Sequence, residues 1–353
     1  MIIRSRAPLR ISFAGGGTDI PPYSEEKGGA VLSTAIDKYA YCTLIPRLDS
    51  EIIINLIGHD VIVNQQYSEE AISNGEFDLA RSVVKNFAEK GGMNLYIQTD
   101  VPLGSGLGCS SSIVVALIGA FMYWLGKRLT DYEVAELAYH IEREQLGIKG
   151  GKQDHYAATF GGFNFIEFSR EKTVVNPLRI PDHILDELRY HLLLCYVGSR
   201  PFLTNIIQNQ VDNYVHGKED VVCALASLRM LTILMKDALL RGRLKDFGEL
   251  LSDAWESKKR LADGISNDHI DQLYNAARQN GAIGGKILGA GGGGYLLLYC
   301  PFDRKHLVAK VVRSLGGQIV HFGFEPGGLR TWETGEDVPT FRPGEVSSDM
   351  GGD

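Results

Sequence analysis

The chain has 353 residues, 44% hydrophobic and 22% charged, which predicts a soluble protein of about two domains. Its formal net charge of −7 excludes a general nucleic-acid binder, which needs a basic face. No run approaches the ~20 apolar residues of a membrane span, and residues 1–6 lack the apolar core of a signal peptide, so a cytoplasmic protein with no membrane partner is expected.

Leu9-Arg10-Ile11-Ser12-Phe13 alternates and then meets Gly15-Gly16-Gly17, a strand running into a glycine turn. Residues 30–46 and 51–63 are rich in β-branched side chains and read as strands. A helix is expected over 78–89 and a strand over 95–99. Next comes Pro102-Leu103-Gly104-Ser105-Gly106-Leu107-Gly108-Cys109-Ser110-Ser111-Ser112, followed by an apolar helix over 113–125. Thr130-Asp131-Tyr132-Glu133 has the form of a capping box. It opens a helix with Val134, Leu137, Ala138 and Ile141 at helical spacing, ending near Gly147. Residues 150–154 read as a loop and 162–168 as a strand.

A second section starts near Asp182. It holds a strand over 190–197, long helices over 220–241 and 244–262, and a glycine-rich stretch at 289–294. A strand over 295–299, a helix over 305–315 and a strand over 317–324 follow. The tail from Gly335 is polar and is expected to pack loosely. Helices and strands mix in both halves, so the class is α/β or α+β, with domains at 1–182 and 183–353.

Cys42, Cys109, Cys195, Cys223 and Cys300 form no CxxC pair and no zinc spacing, so reduced thiols are expected. The nine histidines are scattered, with no HExxH.

Glycines let a backbone approach a ligand closely. A helix start offers unpaired N–H groups and a positive dipole end to an anion. The 102–112 segment has both features, and its serines can donate to phosphate or hold a hard cation. A plain glycine turn with serine caps is the competing reading. A P-loop is excluded, because Lys152 and Lys286 are not followed by Ser or Thr. Gly289, Gly291 and Gly294 match GxGxxG, but a strand follows them where the dinucleotide motif opens a helix. Three glycine segments, each at a strand end, point to one polyphosphate site.

These segments resemble the three motifs of the GHMP kinases, a superfamily with galactokinase, homoserine kinase and mevalonate kinase. Residues 102–112 are similar to its PxxxGLGSS motif, with Cys109 where serine is usual. Ala7-Pro8-Leu9-Arg10 with Gly16-Gly17-Thr18-Asp19 is similar to the first motif, and residues 286–294 to the third. The resemblance implies an α+β two-domain fold: an N-terminal domain like ribosomal protein S5 domain 2 and a C-terminal ferredoxin-like domain. Within the superfamily the likeness is to D-glycero-D-manno-heptose 7-phosphate kinases, carried by 9–18, 141–144 and 147–168. Galactokinases have Gly-Glu-His before Thr-Asp and fucokinases Gly-Gly-Trp, where this chain has Gly15-Gly16-Gly17.

Phosphoryl transfer needs charge neutralisation, alignment and a place for the hydroxyl proton. The resemblance implies ATP on Pro102, Gly104, Ser105, Gly106, Leu107, Gly108, Cys109, Ser110 and Ser111, and magnesium on Ser110. Cysteine is a poor ligand for a hard cation, so Cys109 is expected to act through its backbone. Loop aspartates are more often turn formers, but the resemblance makes Asp154 the catalytic base, with Arg10 beside it. Glu142 and Glu144 flank their helix's apolar stripe on opposite sides; alignment back from Asp154 favours Glu142 as the second magnesium ligand. Gly16, Gly17, Thr18, Asp19, Gly291, Gly292 and Gly293 are expected at the substrate, and Lys149, Lys152 and Arg200 as cations for a sugar phosphate.

The expected activity is ATP- and Mg2+-dependent phosphorylation of the C1 hydroxyl of a heptose 7-phosphate, serving GDP-heptose and surface polysaccharide synthesis. The alternatives are another sugar-1-kinase, such as a fucokinase or galactokinase, or a non-catalytic sugar and ATP sensor. The expected partners are a sugar phosphate and ATP, with the chain a monomer or homodimer.

Overall fold

The computed structural model describes residues 1–57, 62–66, 75–87, 91–199 and 205–335. The first half runs β1 (Ile2–Ala14), α1 (Tyr23–Lys27), β2 (Gly29–Pro46), β3 (Ile52–Ile57), β4 (Ile62–Gln66), α2 (Gly75–Phe87), β5 (Met93–Thr99), α3 (Cys109–Leu125), α4 (Asp131–Tyr139), α5 (Gln153–Phe160), β6 (Phe163–Phe168) and β7 (Thr173–Pro177). The second runs α6 (Asp182–His191), β8 (Leu192–Tyr196), α7 (Ile206–Val215), α8 (Glu219–Leu240), α9 (Leu244–Lys259), α10 (Asp268–Gln279), β9 (Gly284–Ile287), β10 (Tyr295–Tyr299), α11 (Lys305–Ser314), β11 (Gln318–Val320) and β12 (Arg330–Thr334).

The first sheet has the order β12-β1-β2-β5-β3-β4, with β6 on β2 and β7 on β6. The β3–β5 pair is parallel and the others are antiparallel. The second sheet is antiparallel, in the order β11-β8-β10-β9. Helices separate its first strand from its second and its third from its fourth, which is the ferredoxin-like pattern.

Burial explains the elements. β1 is buried along almost its whole length. Helix α3 packs on β1 and β2 and is apolar nearly all round, as a helix inside a core must be. On α9 the buried residues recur at helical spacing: Leu244, Phe247, Leu251, Ala254, Trp255 and Lys258. The Phe13 ring at the end of β1 meets Phe163 (6.1 Å) and Phe247 of α9 (5.2 Å), which ties the two halves into one apolar core. The Thr130 capping box forms: Glu133 N–H donates to Thr130 Oγ1 (3.3 Å), and Thr130 N–H to Glu133 Oε2 (2.7 Å).

Several boundaries differ from the sequence reading. β1 begins at Ile2 rather than Leu9, because its irregular first residues pair with both β2 and β12. The strand expected from Tyr190 starts at Leu192, since Tyr190 and His191 finish α6. The loop expected through Asp154 ends earlier: Gln153 opens α5, so Asp154 lies in a first helical turn. β12 returns to β1, so the chain near 330 joins the first sheet although it lies within 183–353. The tail beyond Gly335 lies outside the described residues. Among the described residues, no helix is long and apolar enough to cross a membrane.

Candidate active site

Two glycine loops press together, backbone on backbone. One lies between β5 and α3, the other between β9 and β10. Gly106 has φ +86°, and a Cβ there would stand 2.4 Å from the Leu288 carbonyl oxygen. A Cβ on Gly294 would stand 2.1 Å from the Ser105 carbonyl oxygen. Only glycine allows this approach. Gly108 begins α3 with no side-chain cap, leaving the helix's first N–H groups for an anion.

These loops form one wall of a cleft, through Gly104, Gly106, Gly108, Cys109, Ser110, residues 288–291 and Gly293. The opposite wall is polar and comes from the turn after β1, the start of α5, α7 and α9. Arg10 and Asp154 stand where the walls meet. Arg10 Nε and Nη2 each lie 2.7 Å from Asp154 Oδ1, and Nη1 donates to the Gly106 carbonyl at 2.6 Å. Both guanidinium nitrogens converge on one carboxylate oxygen, a close charge-assisted contact that leaves Oδ2 free of Arg10. Asp154 also packs against Gly108, where a Cβ would be 3.3 Å from its Cγ. The Asp154 side chain is thus held beside a helix N-terminus, the arrangement needed to take a proton from a nucleophile attacking a bound phosphate.

On the polar wall Asp19 is buried and accepts from Gly17 N–H (3.0 Å), Gln153 N–H (3.2 Å) and Gln153 Nε2 (3.1 Å). Lys258 Nζ donates to the Gly16 carbonyl at 3.1 Å and reaches Gln210 Oε1 at 3.5 Å. Burial pushes its ammonium down to about 8; Asp19 pulls the other way and Arg10 adds to the lowering. Lys286 donates to the Ser12 carbonyl at 2.9 Å. Burial, then the charges of Lys258 and Arg10, push it down to about 7 against the pull of Asp19.

Of the expected residues, Arg10, Gly16, Gly17, Asp19, Lys149, Asp154, Gly291 and Gly293 line the cleft, with Gly104, Gly106, Gly108, Cys109 and Ser110 of the glycine loop. The Cys109 thiol turns away, 3.8 Å from the Val101 carbonyl oxygen. Among the described residues, the others do not line the cleft. Thr18 is fully buried, its Oγ1 2.8 and 3.0 Å from the Gly15 and Ala30 carbonyl oxygens, so it ties the turn together rather than facing the cleft. Lys152, the half-buried residue before α5, has its Nζ 5.3 Å over the Tyr139 ring and does not line the cleft. Pro102 is exposed, Ser105 and Leu107 are buried, and Gly292 bonds to the Ile265 carbonyl. Arg200 lies outside the described residues.

Glu142 does not line the cleft; it braces it from behind. Helix α4 widens into a π turn at His140–Gln145, with Glu142 buried and Glu144 exposed. Ser111 Oγ donates to Glu142 Oε2 at 2.7 Å, and His155 Nε2 lies 2.7 Å from the same oxygen. Arg143 Nη1 is 3.1 Å from Oε1, close enough for charge pairing but off the line of a hydrogen bond. Burial alone would raise the carboxyl; Arg143, His155 and Ser111 outweigh it and hold it at about 2. The network links the neighbours of Ser110 and Asp154.

Gln153, Gln210, Lys258, Lys286 and His155 were not singled out from the sequence as site residues. One signal was present: Lys258 occupies the buried face of α9 at the same spacing as Leu251 and Ala254. Among the described residues, no group of three His, Cys, Asp or Glu could hold a metal by itself.

Comparison with known proteins bears on this cleft. Residues 78–162 match the model of the GHMP kinases N terminal domain, and 235–318 that of the GHMP kinases C terminal region. The chain is 39% identical, over 94% of its length and 98% of the relative's, to the D-glycero-alpha-D-manno-heptose 7-phosphate kinase of Campylobacter jejuni. A solved D-glycero-D-manno-heptose 1-phosphate kinase from Bacteroides thetaiotaomicron superposes with TM-score 0.76 at 32% identity, covering 94% of this chain and 99% of that one. Lactococcus lactis galactokinase shares the fold, with TM-score 0.74 at 17% identity, covering 93% of this chain and 95% of that one. The chain belongs to the GHMP kinases and is a sugar kinase with ATP as its phosphate donor.

Proposed function

We propose that this kinase transfers the γ-phosphate of ATP to the C1 hydroxyl of D-glycero-D-manno-heptose 7-phosphate, supplying GDP-heptose for surface polysaccharide. The observation that carries the reading is the Arg10–Asp154 pair at the junction of a glycine-loop wall and a polar wall. The likeness to the Campylobacter enzyme supports the acceptor. In this reading the glycine N–H groups and the start of α3 hold the ATP phosphates. Asp154 takes the acceptor's proton, while Arg10 holds its carboxylate in place and faces the transferring phosphoryl group.

Asp19, Gly16 and Gly17 hold the sugar, and Lys149 reaches its far phosphate. Magnesium takes hard oxygen donors and keeps several waters. The Ser110 hydroxyl in the cleft suits it, whereas Glu142, behind the cleft with its Oε1 paired to Arg143, would have to reach it indirectly through Ser111, which bonds its other oxygen. When bound, the ion neutralises phosphate charge. The units 1–182 and 183–353 flank the cleft, and the protein works in the cytoplasm as a monomer or homodimer.

The test is ADP release with a panel of heptose 7-phosphate, fucose, galactose and mevalonate, with the product's phosphate located by 31P NMR. The expected result is preference for heptose 7-phosphate and a new C1 phosphate. Equal or better use of another acceptor removes the substrate assignment.

A further inference from the structure

Lys258 is a cation for which the reading above has no use. It is 5% exposed and lies on the face of α9 that otherwise carries Leu251, Ala254 and Trp255. A buried ammonium without compensation costs several kcal/mol, and a methionine would fill the same space without that cost. Among the described residues no carboxylate lies within ion-pair distance of Nζ; its partners are one carbonyl at 3.1 Å and one amide oxygen at 3.5 Å. The other cations of the cleft are differently placed. Arg10 is held by Asp154, Arg143 by Glu142, and Lys149 is exposed.

A second orphan belongs to another residue lining the same cleft. Gln153 Nε2 is bound to both oxygens of Asp19, at 3.1 and 3.2 Å. Asp19 can only accept, so the amide NH2 must point there and Oε1 must point away. That Oε1 is buried and has no hydrogen-bond partner. Both residues line the cleft and flank Gly16: Lys258 bonds its carbonyl, and Gln153 Nε2 is 3.4 Å from where its Cβ would be. The residues lining the cleft around Gly16 therefore include an under-used donor and an unused, buried acceptor. One hydroxyl group satisfies both, accepting from an ammonium and donating to an amide oxygen.

We propose that Lys258 and Gln153 together bind one hydroxyl of the acceptor sugar, on the carbon next to the one phosphorylated, and so determine which sugars are accepted. The position follows from the neighbours. Gln153 precedes Asp154 in α5, and Lys258 lines the same cleft as Arg10, which holds Asp154. The inference rests on the proposed placement of the acceptor along the polar wall, but not on the acceptor being a heptose.

A site built around a hydroxyl rejects an analogue lacking it, because its polar groups are then left buried and unpaired. The test uses whichever sugar the wild-type enzyme turns over best and its analogue deoxygenated beside the reacting carbon. The expected result is at least ~100-fold lower kcat/KM for the analogue with the wild type. Lys258→Met should lower kcat/KM for the full sugar by a similar factor, leave the analogue within ~3-fold, and leave ATP affinity and Tm unchanged or Tm higher. A best acceptor other than heptose 7-phosphate would refute the substrate proposed above while leaving this test intact. The inference is overturned if wild type accepts the analogue as well as the sugar, or if Lys258→Met penalises both equally. A lower Tm with weaker ATP binding would overturn it too, marking Lys258 as a structural cation.

Discussion

The two walls of the cleft are built on opposite principles. The glycine-loop wall is backbone: two loops that touch at Gly106 and Gly294, where any side chain would collide. The polar wall is side chain: Asp19 with Gln153, and Gln210 with Lys258, arrive from four separate stretches as two hydrogen-bonded pairs, the second also bonded to the Gly16 and Gly17 carbonyls. A backbone wall tolerates a changed side chain that points away, as Cys109 does. It does not tolerate an added Cβ. A side-chain wall is sensitive to each charge and amide, which suits it to choosing among sugars.

The largest effect is expected where both walls share a support. Glu142→Gln removes the carboxylate that holds Ser111 behind one wall and His155 beside the Asp154 junction. Breaking a buried charge network costs about 3 kcal/mol or more. The folded carboxyl sits near 2 instead of its ordinary 4.5, so its contribution is complete above 4.5 and is lost as pH falls toward 2. Denaturant unfolding at pH 7 should show the full difference from wild type, and the difference should shrink across that acid window. A difference independent of pH would detach the effect from the carboxylate's charge.

A pair of glycine substitutions separates the walls. Gly106→Ala puts a methyl 2.4 Å from the Leu288 carbonyl oxygen at φ +86°. Gly151→Ala puts one 1.9 Å from Asp19 Oδ2, which accepts from Gln153 N–H and Gln153 Nε2, each at 3.2 Å. Strain of this kind costs ~1–3 kcal/mol. Gly106→Ala should weaken ATP binding about tenfold or more and hardly change acceptor KM. Gly151→Ala should do the reverse. Equal damage to both substrates by either variant would mean the walls do not act separately.

This contrast also explains what could be read from the sequence. The glycine loops were legible because glycine is demanded by the backbone itself, and the failure of P-loop and Rossmann contexts narrowed their meaning. Arg10 and Asp154 came from family likeness, and the structure joins them at 2.7 Å. Thr18 was misplaced because a threonine next to glycines looks the same whether it faces a ligand or ties a turn. Lys152 was misplaced because its segment read as loop, while it directly precedes α5 with its Nζ over the Tyr139 ring. Gln210 was invisible because α7 was not anticipated. Lys258 was partly visible, as a charge on an otherwise apolar helix face.

The account's central claim is that phosphoryl transfer occurs where the walls meet, at Asp154. Asp154→Asn keeps the shape of the side chain and removes its charge and basicity. Turnover should fall ~10²–10⁴-fold, while ATP and acceptor affinities, measured by calorimetry, stay within a few-fold of wild type. Turnover equal to wild type in that variant would contradict the account.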